Sequence, residues 1–169
     1  MHLVTTHHVK SVLSLYTLQM RYLLSTQNQI SSALEWMSEA ASDEQLKEAF
    51  HSHRNEVGFQ RERLNQILIE LTGKADDAKC AITAALIAAV EKTVRETDPG
   101  PVRDAWLVAS GHKIGDFEIA SYGVALKWAL ILGYTYEASL LQKTLDEEAR
   151  ADGLLQSIAE RINLAAKAA

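Results

Sequence analysis

Along most of the chain, apolar side chains recur at every third or fourth position, the spacing that lines one face of an α-helix. No stretch alternates β-branched and polar residues between turn signals, so strands are not expected. Stop signals divide the pattern into five segments. Helix A runs from about Val9 to Ser38. Ser42-Asp43-Glu44-Gln45 fits a capping box, with Ser42 as N-cap and Gln45 three positions on. Helix B therefore starts there, and it ends near Gly73, a residue suited to the left-handed position after a helix. A shorter helix spans about Ala78 to Glu96. Asp98-Pro99 supplies an N-cap followed by a proline and opens helix C, which closes at Leu132-Gly133. Helix D runs from about Thr135 to Ala166.

Four long helices with short A–B and C–D connections, and a long, partly helical B–C connection, predict an all-α four-helix bundle of left-handed twist. Its one long crossover carries the fifth, shorter helix at 78–96. The whole chain, 1–169, is expected to form one domain.

Each long helix carries a polar side chain inside its apolar stripe. In helix A the stripe reads Val12, Leu15/Tyr16, Gln19, Leu23, Ile30, Leu34, Met37. Helix B places His53 and Gln60 on its stripe with Glu56 at the shoulder, helix C places Glu118, and helix D places Glu148 and Asp152. Burying a carboxylate alone costs several kcal/mol by the usual order-of-magnitude figure. Four such interruptions on four helices point to a shared cause. A carboxylate-rich metal centre is one: iron or manganese takes oxygen and imidazole ligands, and its charge offsets the desolvation of buried carboxylates. The metal-ligand candidates are Glu118, Glu148, Glu56, His53, Asp152 and Gln19. The alternative is a metal-free bundle whose core polar groups bond to one another. That reading suits the two amides, Gln19 and Gln60, which are poor ligands.

Register supports half of the constellation. Glu118 lies 15 residues before Gly133 and Glu148 lies 15 after it, so the C–D hairpin brings both to one level. From Ser42, Gln19 is 23 residues back but Glu56 only 14 on. That mismatch of nine residues is roughly 13 Å of helix rise, so the A–B half of the site is the weaker half.

Composition narrows the function classes. The 169 residues carry 17 Lys+Arg against 22 Asp+Glu, a net charge of −5 that argues against nucleic-acid binding. The most apolar window, Cys80 to Val90, is too short to cross a bilayer, and Met1 to His8 lacks the order of a secretory signal. A cytoplasmic protein is expected. One cysteine, Cys80, permits no intrachain disulfide and reads as an inert thiol in an apolar helix. His2, His7 and His8 read as a frayed terminus able to bind adventitious metal. No phosphate loop, Ser-His-Asp order or CxxC pair occurs, and no catalytic residue is assigned. Trp36, Trp128 and Tyr134 exceed what a thin core accepts and suggest a homodimer interface.

The runs Leu15 to Gln19, Ser52 to Glu56, Phe117 to Gly123 and Thr144 to Glu148 resemble the YciE/YciF family of bacterial ferritin-like stress proteins, over about residues 12–160. The most specific is Phe117-Glu118-Ile119-Ala120-Ser121-Tyr122-Gly123, close to that family's YEIASYG signature. The resemblance implies a dimeric ferritin-like bundle with a di-iron-type centre. Glu56, Glu118 and Glu148 fall on carboxylate positions and His53 on a recurrent histidine. Gln19 stands where the family's LYSAEKQ run has glutamate, and Gly115 replaces a common glutamate one turn before Glu118. These departures imply a lopsided site: one tight position by Glu118 and Glu148, and a weak or empty one towards Gln19.

Overall fold

The computed structural model describes residues 9–169; the calls on His2, His7, His8 and the Met1–His8 segment lie outside the described residues. Five helices follow in order: α1 (Val12–Ala40), α2 (Glu44–Thr72), α3 (Ala81–Arg95), α4 (Pro101–Ile131) and α5 (Thr135–Ala168). There is no strand among the described residues. The four long helices form a bundle of two hairpins, α1–α2 and α4–α5, with α1 against α4 and α2 against α5. The crossover helix α3 lies on α1 and α4. No helix among the described residues is long and apolar enough to cross a membrane.

The helix ends correct three boundaries. α1 starts at Val12 rather than Val9, because Ser11 and Ser14 form a reciprocal capping box there. The N-cap of α2 is Asp43, not Ser42: its carboxylate accepts from the Leu46 N–H. The reason lies on another helix. The buried carboxylate of Asp104, in the first turn of α4, accepts from the backbone N–H groups of Ser42 (2.7 Å) and Asp43 (2.9 Å), which holds the chain extended before the helix. α4 opens at Gly100-Pro101 instead of Asp98-Pro99, one dipeptide later on the same proline logic. Gly73 and Gly133 both take φ of 79°, so the C-terminal stops of helices B and C fall where the glycines were expected to put them.

Two apolar clusters fill the bundle. One gathers Ile30, Leu34, Met37, Phe50, Val57, Leu107, Ile114 and Ile158 at the end of the α1–α2 turn. The other gathers Tyr16, Met20, Leu23, Leu64, Ile67, Tyr122 and Leu141 at the end of the α4–α5 turn. Leu23 and Ile30 belong to different clusters, and so do Val57 and Leu64, so the polar side chains between them form a layer separating the two cores. The crossover is tied down by polar contacts. Arg21 pairs with Asp76 at 2.9 Å, and the buried hydroxyls of Thr26 and Thr83 lie 2.8 Å apart. Cys80 is buried, as expected, but it sits at the N-cap of α3. Burial works against its thiolate, yet hydrogen bonds from the Thr83 side chain and backbone outweigh it and draw the thiol below its usual value.

Candidate metal centre

The α4–α5 hairpin turns at Gly133 without insertion, so its two carboxylates arrive at the same level. Glu118 and Glu148 are both almost wholly buried. From the opposite hairpin, the amide of Gln27 donates to Glu118 Oε1 at 2.8 Å, and the amide of Gln60 donates to Glu148 Oε1 at 2.7 Å. Gln27 Nε2 also donates to the hydroxyl oxygen of the buried Tyr122 at 2.9 Å. The second oxygen of Glu148 faces His53 Nε2 at 3.6 Å, and His53 Nδ1 faces Glu56 Oε2 at 3.6 Å, both too long for hydrogen bonds.

In this layer four buried polar atoms are left without a hydrogen-bond partner among the described residues: Glu118 Oε2, Gln27 Oε1, Gln60 Oε1 and His53 Nδ1. Orphaned buried polar atoms are rare and costly. Four in one layer, three of them acceptors, mark a place built for something that donates or carries positive charge. One ligand atom each of His53, Glu118 and Glu148 lies within 4.8 Å of the others. Imidazole and two carboxylates form a donor set suited to iron, manganese or zinc.

Electrostatics agree with that donor set. Burial, then the neighbouring Glu148, pushes the Glu118 carboxyl well above the usual carboxylate range, against the bond from Gln27. Glu148 is also raised by burial, with Glu56 and Glu147 adding to it while His53 and Gln60 oppose. Burial alone would lower His53, but Glu56, Glu148 and Glu147 together outweigh it and raise the imidazole. Burial and the charge of Glu118 raise the Tyr122 phenol. Ionising both carboxylates would give the layer more negative charge than its own cations answer.

The structure brings four of the sequence candidates together at this layer: Glu118, Glu148, His53 and, half-exposed at its rim, Glu56. Asp152 lines the adjoining cavity, one turn along α5 from Glu148, but its Oδ1 lies 2.5 Å from His112 Nδ1 and its Oδ2 accepts from Gln156. Gln19 is elsewhere. It is half-buried and donates to the Ser121 carbonyl at 3.3 Å, eight residues before Gln27, or roughly 12 Å of rise along α1. Gln27 is therefore the helix-α1 side chain of the layer. Gln19, the position that the resemblance set for the helix A ligand, thus lies outside the layer.

Two signals in the sequence point to Gln27. The helix A stripe jumps seven residues from Leu23 to Ile30, and Gln27 fills the gap at helical spacing. It also lies 15 residues before Ser42, matching Glu56 at 14 after, which removes the register mismatch. Arg63 and Glu147 were likewise missed. They form a bidentate pair at 2.6 and 2.7 Å beside Glu148, with Arg63 also donating to Thr144 at 2.9 Å.

A profile of the domain of unknown function DUF892 matches residues 11–168. The chain belongs to this family. Protein YciF of Escherichia coli K12 is 38% identical over 136 residues, which are 80% of this chain and 82% of YciF. The crystal structure of YciF, described as a stress protein, superposes with a TM-score of 0.87 at 33% identity, covering 91% of this chain and 98% of YciF. YcfI of Rhodopseudomonas palustris superposes with a TM-score of 0.88 at 30% identity and the same coverage. A protein of Xanthomonas campestris shares the fold at 17% identity and a TM-score of 0.73. These relatives bear out the bundle and the family resemblance.

Proposed function

We propose that this chain is a metal-binding bundle of a bacterial stress response that holds one divalent transition metal, iron or manganese, between the two cores. Glu118, Glu148 and His53 are its ligands, with Glu56 a further carboxylate at the rim of the cavity. The observation that carries this reading is the fully buried Glu118: its Oε2 has no hydrogen-bond partner among the described residues, and a ligand oxygen of its carboxylate lies within 4.8 Å of ligand atoms of His53 and Glu148. Two buried carboxylates balance one divalent ion. Gln27 and Gln60 are neutral and add nothing towards a second, so the favoured stoichiometry is about one metal per chain. The stress role rests on the resemblance to YciF. Protein purified without chelator, then titrated with Fe(II) or Mn(II) under anaerobic conditions, tests it by metal content. Failure to take up either ion refutes it.

The same reading takes the chain as a cytoplasmic homodimer, with the half-buried Trp36 and Trp128 flanking the two cores as anchors for a second copy. A monomeric mass by light scattering contradicts that assembly.

A second reading, a metal-free scaffold, is favoured by the amide bonds themselves. Gln27 and Gln60 already satisfy one oxygen of each carboxylate at 2.8 and 2.7 Å. The double variant Glu118→Ala with Glu148→Ala separates the two. A scaffold melts no lower without its buried carboxylates, and added metal changes nothing in either form. A metalloprotein loses a metal-dependent rise in Tm.

A further inference from the structure

From the polar layer a cavity of about 220 Å³ extends into the apolar cluster at the α1–α2 end. His53, Glu118 and Glu148 stand at one end of it, and Ile30, Met37 and Phe50 line the other. Two glycines one turn apart on α4 shape it. A Cβ on Gly111 would lie 2.7 Å from Leu155 Cδ1, so there the helices are in close contact. A Cβ on Gly115 would meet only Asp152 Oδ1, at 3.9 Å, so Gly115 fronts open space beside the carboxylates. Native cores rarely leave such a void, since interiors pack like crystals. An apolar protein cavity of about 150 Å³ accommodates benzene, so this one has room for a body of that size with a polar head. The exposed side chains of Ser52, Arg150 and Leu154 border it and mark the way in between α2 and α5.

Charge selects the head. With a divalent ion between Glu118 and Glu148 the formal charges cancel, while Glu56 at the rim faces Arg150 at 3.7 Å and Asp152 is hydrogen-bonded to His112. An anionic head would add surplus negative charge in a poorly solvated place, and an ammonium head would compete with the metal for the same oxygens. A hydroxyl does neither. It offers a lone pair to a cation and a proton to a carboxylate.

We infer that this cavity is the binding site of a small uncharged amphiphile, an apolar body of benzyl or hexyl size with a hydroxyl head set against the Glu118 end. The head's place beside a cation rests on the metal reading above; the cavity and its glycine do not.

Benzyl alcohol is the probe, with benzoate as its charged counterpart, and Co(II) is the metal because its visible d–d bands report new ligands. Cobalt per chain is measured first. Benzyl alcohol is then titrated into the metal-free and Co(II)-loaded protein by calorimetry, and into the loaded protein by absorbance. Saturable binding, benzoate weaker by at least about tenfold, and a shift of the d–d bands are expected. Gly115→Leu from α4 and Ala33→Leu from the α1 wall should each weaken the alcohol by at least about tenfold, with cobalt content and helical content unchanged. Benzoate binding as tightly as the alcohol, or filled variants that still bind it, overturns the inference. So does loaded protein with no saturable alcohol binding. If cobalt does not bind but the metal-free protein takes up the alcohol and Gly115→Leu abolishes it, the cavity assignment stands and the metal reading falls.

Discussion

The two hairpins meet in one polar layer and bring opposite chemistry to it. The α4–α5 hairpin supplies acceptors, the carboxylates of Glu118, Glu148 and Glu147. The α1–α2 hairpin supplies donors: the amides of Gln27 and Gln60, and the guanidinium of Arg63. Of these three donors, only Arg63 answers a carboxylate with a full charge. Each amide satisfies one oxygen and leaves the formal charge of its carboxylate untouched. A hydrogen bond and a counter-charge are therefore different needs, and this layer meets the first in part and the second hardly at all. A single cation completes it; a second would find only Glu147 there as a further buried carboxylate, and Arg63 already pairs with that.

The largest expected effect comes from making the donor hairpin anionic. Gln27→Glu removes the N–H that bonds Glu118 and sets a third carboxylate against it. Without metal the variant should lose about 3–5 kcal/mol of stability, the usual result of leaving a buried charge unanswered, and its Tm should drop by roughly 10 °C. Adding Fe(II) or Mn(II) should restore most of the loss and raise the metal content. If the metal-free variant melts like the parent, the hairpins do not differ as described.

Next in size is the one charged donor. Arg63→Met breaks its bidentate pair with Glu147, whose side chain is 10% exposed, and leaves that carboxylate beside Glu148. Discounted for this partial exposure, the expected cost is about 2 kcal/mol in chemical denaturation. The double variant Arg63→Met with Glu147→Met should recover much of it, because an apolar pair of similar volume carries no desolvation penalty. A double variant no better than the single would show that Arg63 acts by packing instead.

The acceptor hairpin should respond in the opposite sense. Glu118→Gln keeps the bond from Gln27 and deletes a charge, so metal-free protein at about pH 8 should gain roughly 1 kcal/mol while metal binding is lost. The pH profile follows from the same cause. Glu118, Glu148 and His53 all titrate above their ordinary values in the fold, so the folded state holds protons that the unfolded chain releases. Their contribution is present below the ordinary values and disappears as pH rises through the folded ones. Metal-free Tm should then fall between about pH 5.5 and about pH 8, and metal affinity should rise over the same interval as protons stop competing. A metal-free Tm that rises across this interval contradicts the raised carboxylates.

The hairpins also differ in how much of each was legible in the sequence. Gly133 makes a tight turn, and Glu118 and Glu148 flank it at equal distance in runs that leave them facing inward, so counting residues was enough. The α1–α2 half hid its member. Glutamine does not stand out among neighbours such as Gln29 and Asn28, and Gln19 offered itself inside a plausible stripe of Leu15 and Leu23. Glu147 stands in the acidic run Asp146-Glu147-Glu148, and only a partner 84 positions away sets it apart. The α2 cap failed for a similar reason. Ser42 and Asp43 are both good N-caps, and the choice is made by Asp104, more than 60 residues on. Local pattern gave the helices; pairings across the bundle were decided by residues it does not connect.

The smallest expected effect tests the placement most directly. Gln19→Glu adds to α1 the same carboxylate as Gln27→Glu, but two turns nearer the start of the helix, where the side chain is half-buried and makes one long bond to the Ser121 carbonyl at 3.3 Å. A carboxylate there loses a weak donor and keeps access to water, so stability should change by no more than about 0.5 kcal/mol, in the ordinary range for surface positions. Metal content should not change, because eight residues along a helix is roughly 12 Å, beyond the reach of a glutamate side chain to the Glu118 level. The pair of variants therefore holds helix and chemistry constant and varies only position. Should Gln19→Glu raise metal content and Gln27→Glu leave it unchanged, the centre lies nearer the α4–α5 turn than the polar layer, and the ligand set built on Glu118, Glu148 and His53 is wrong.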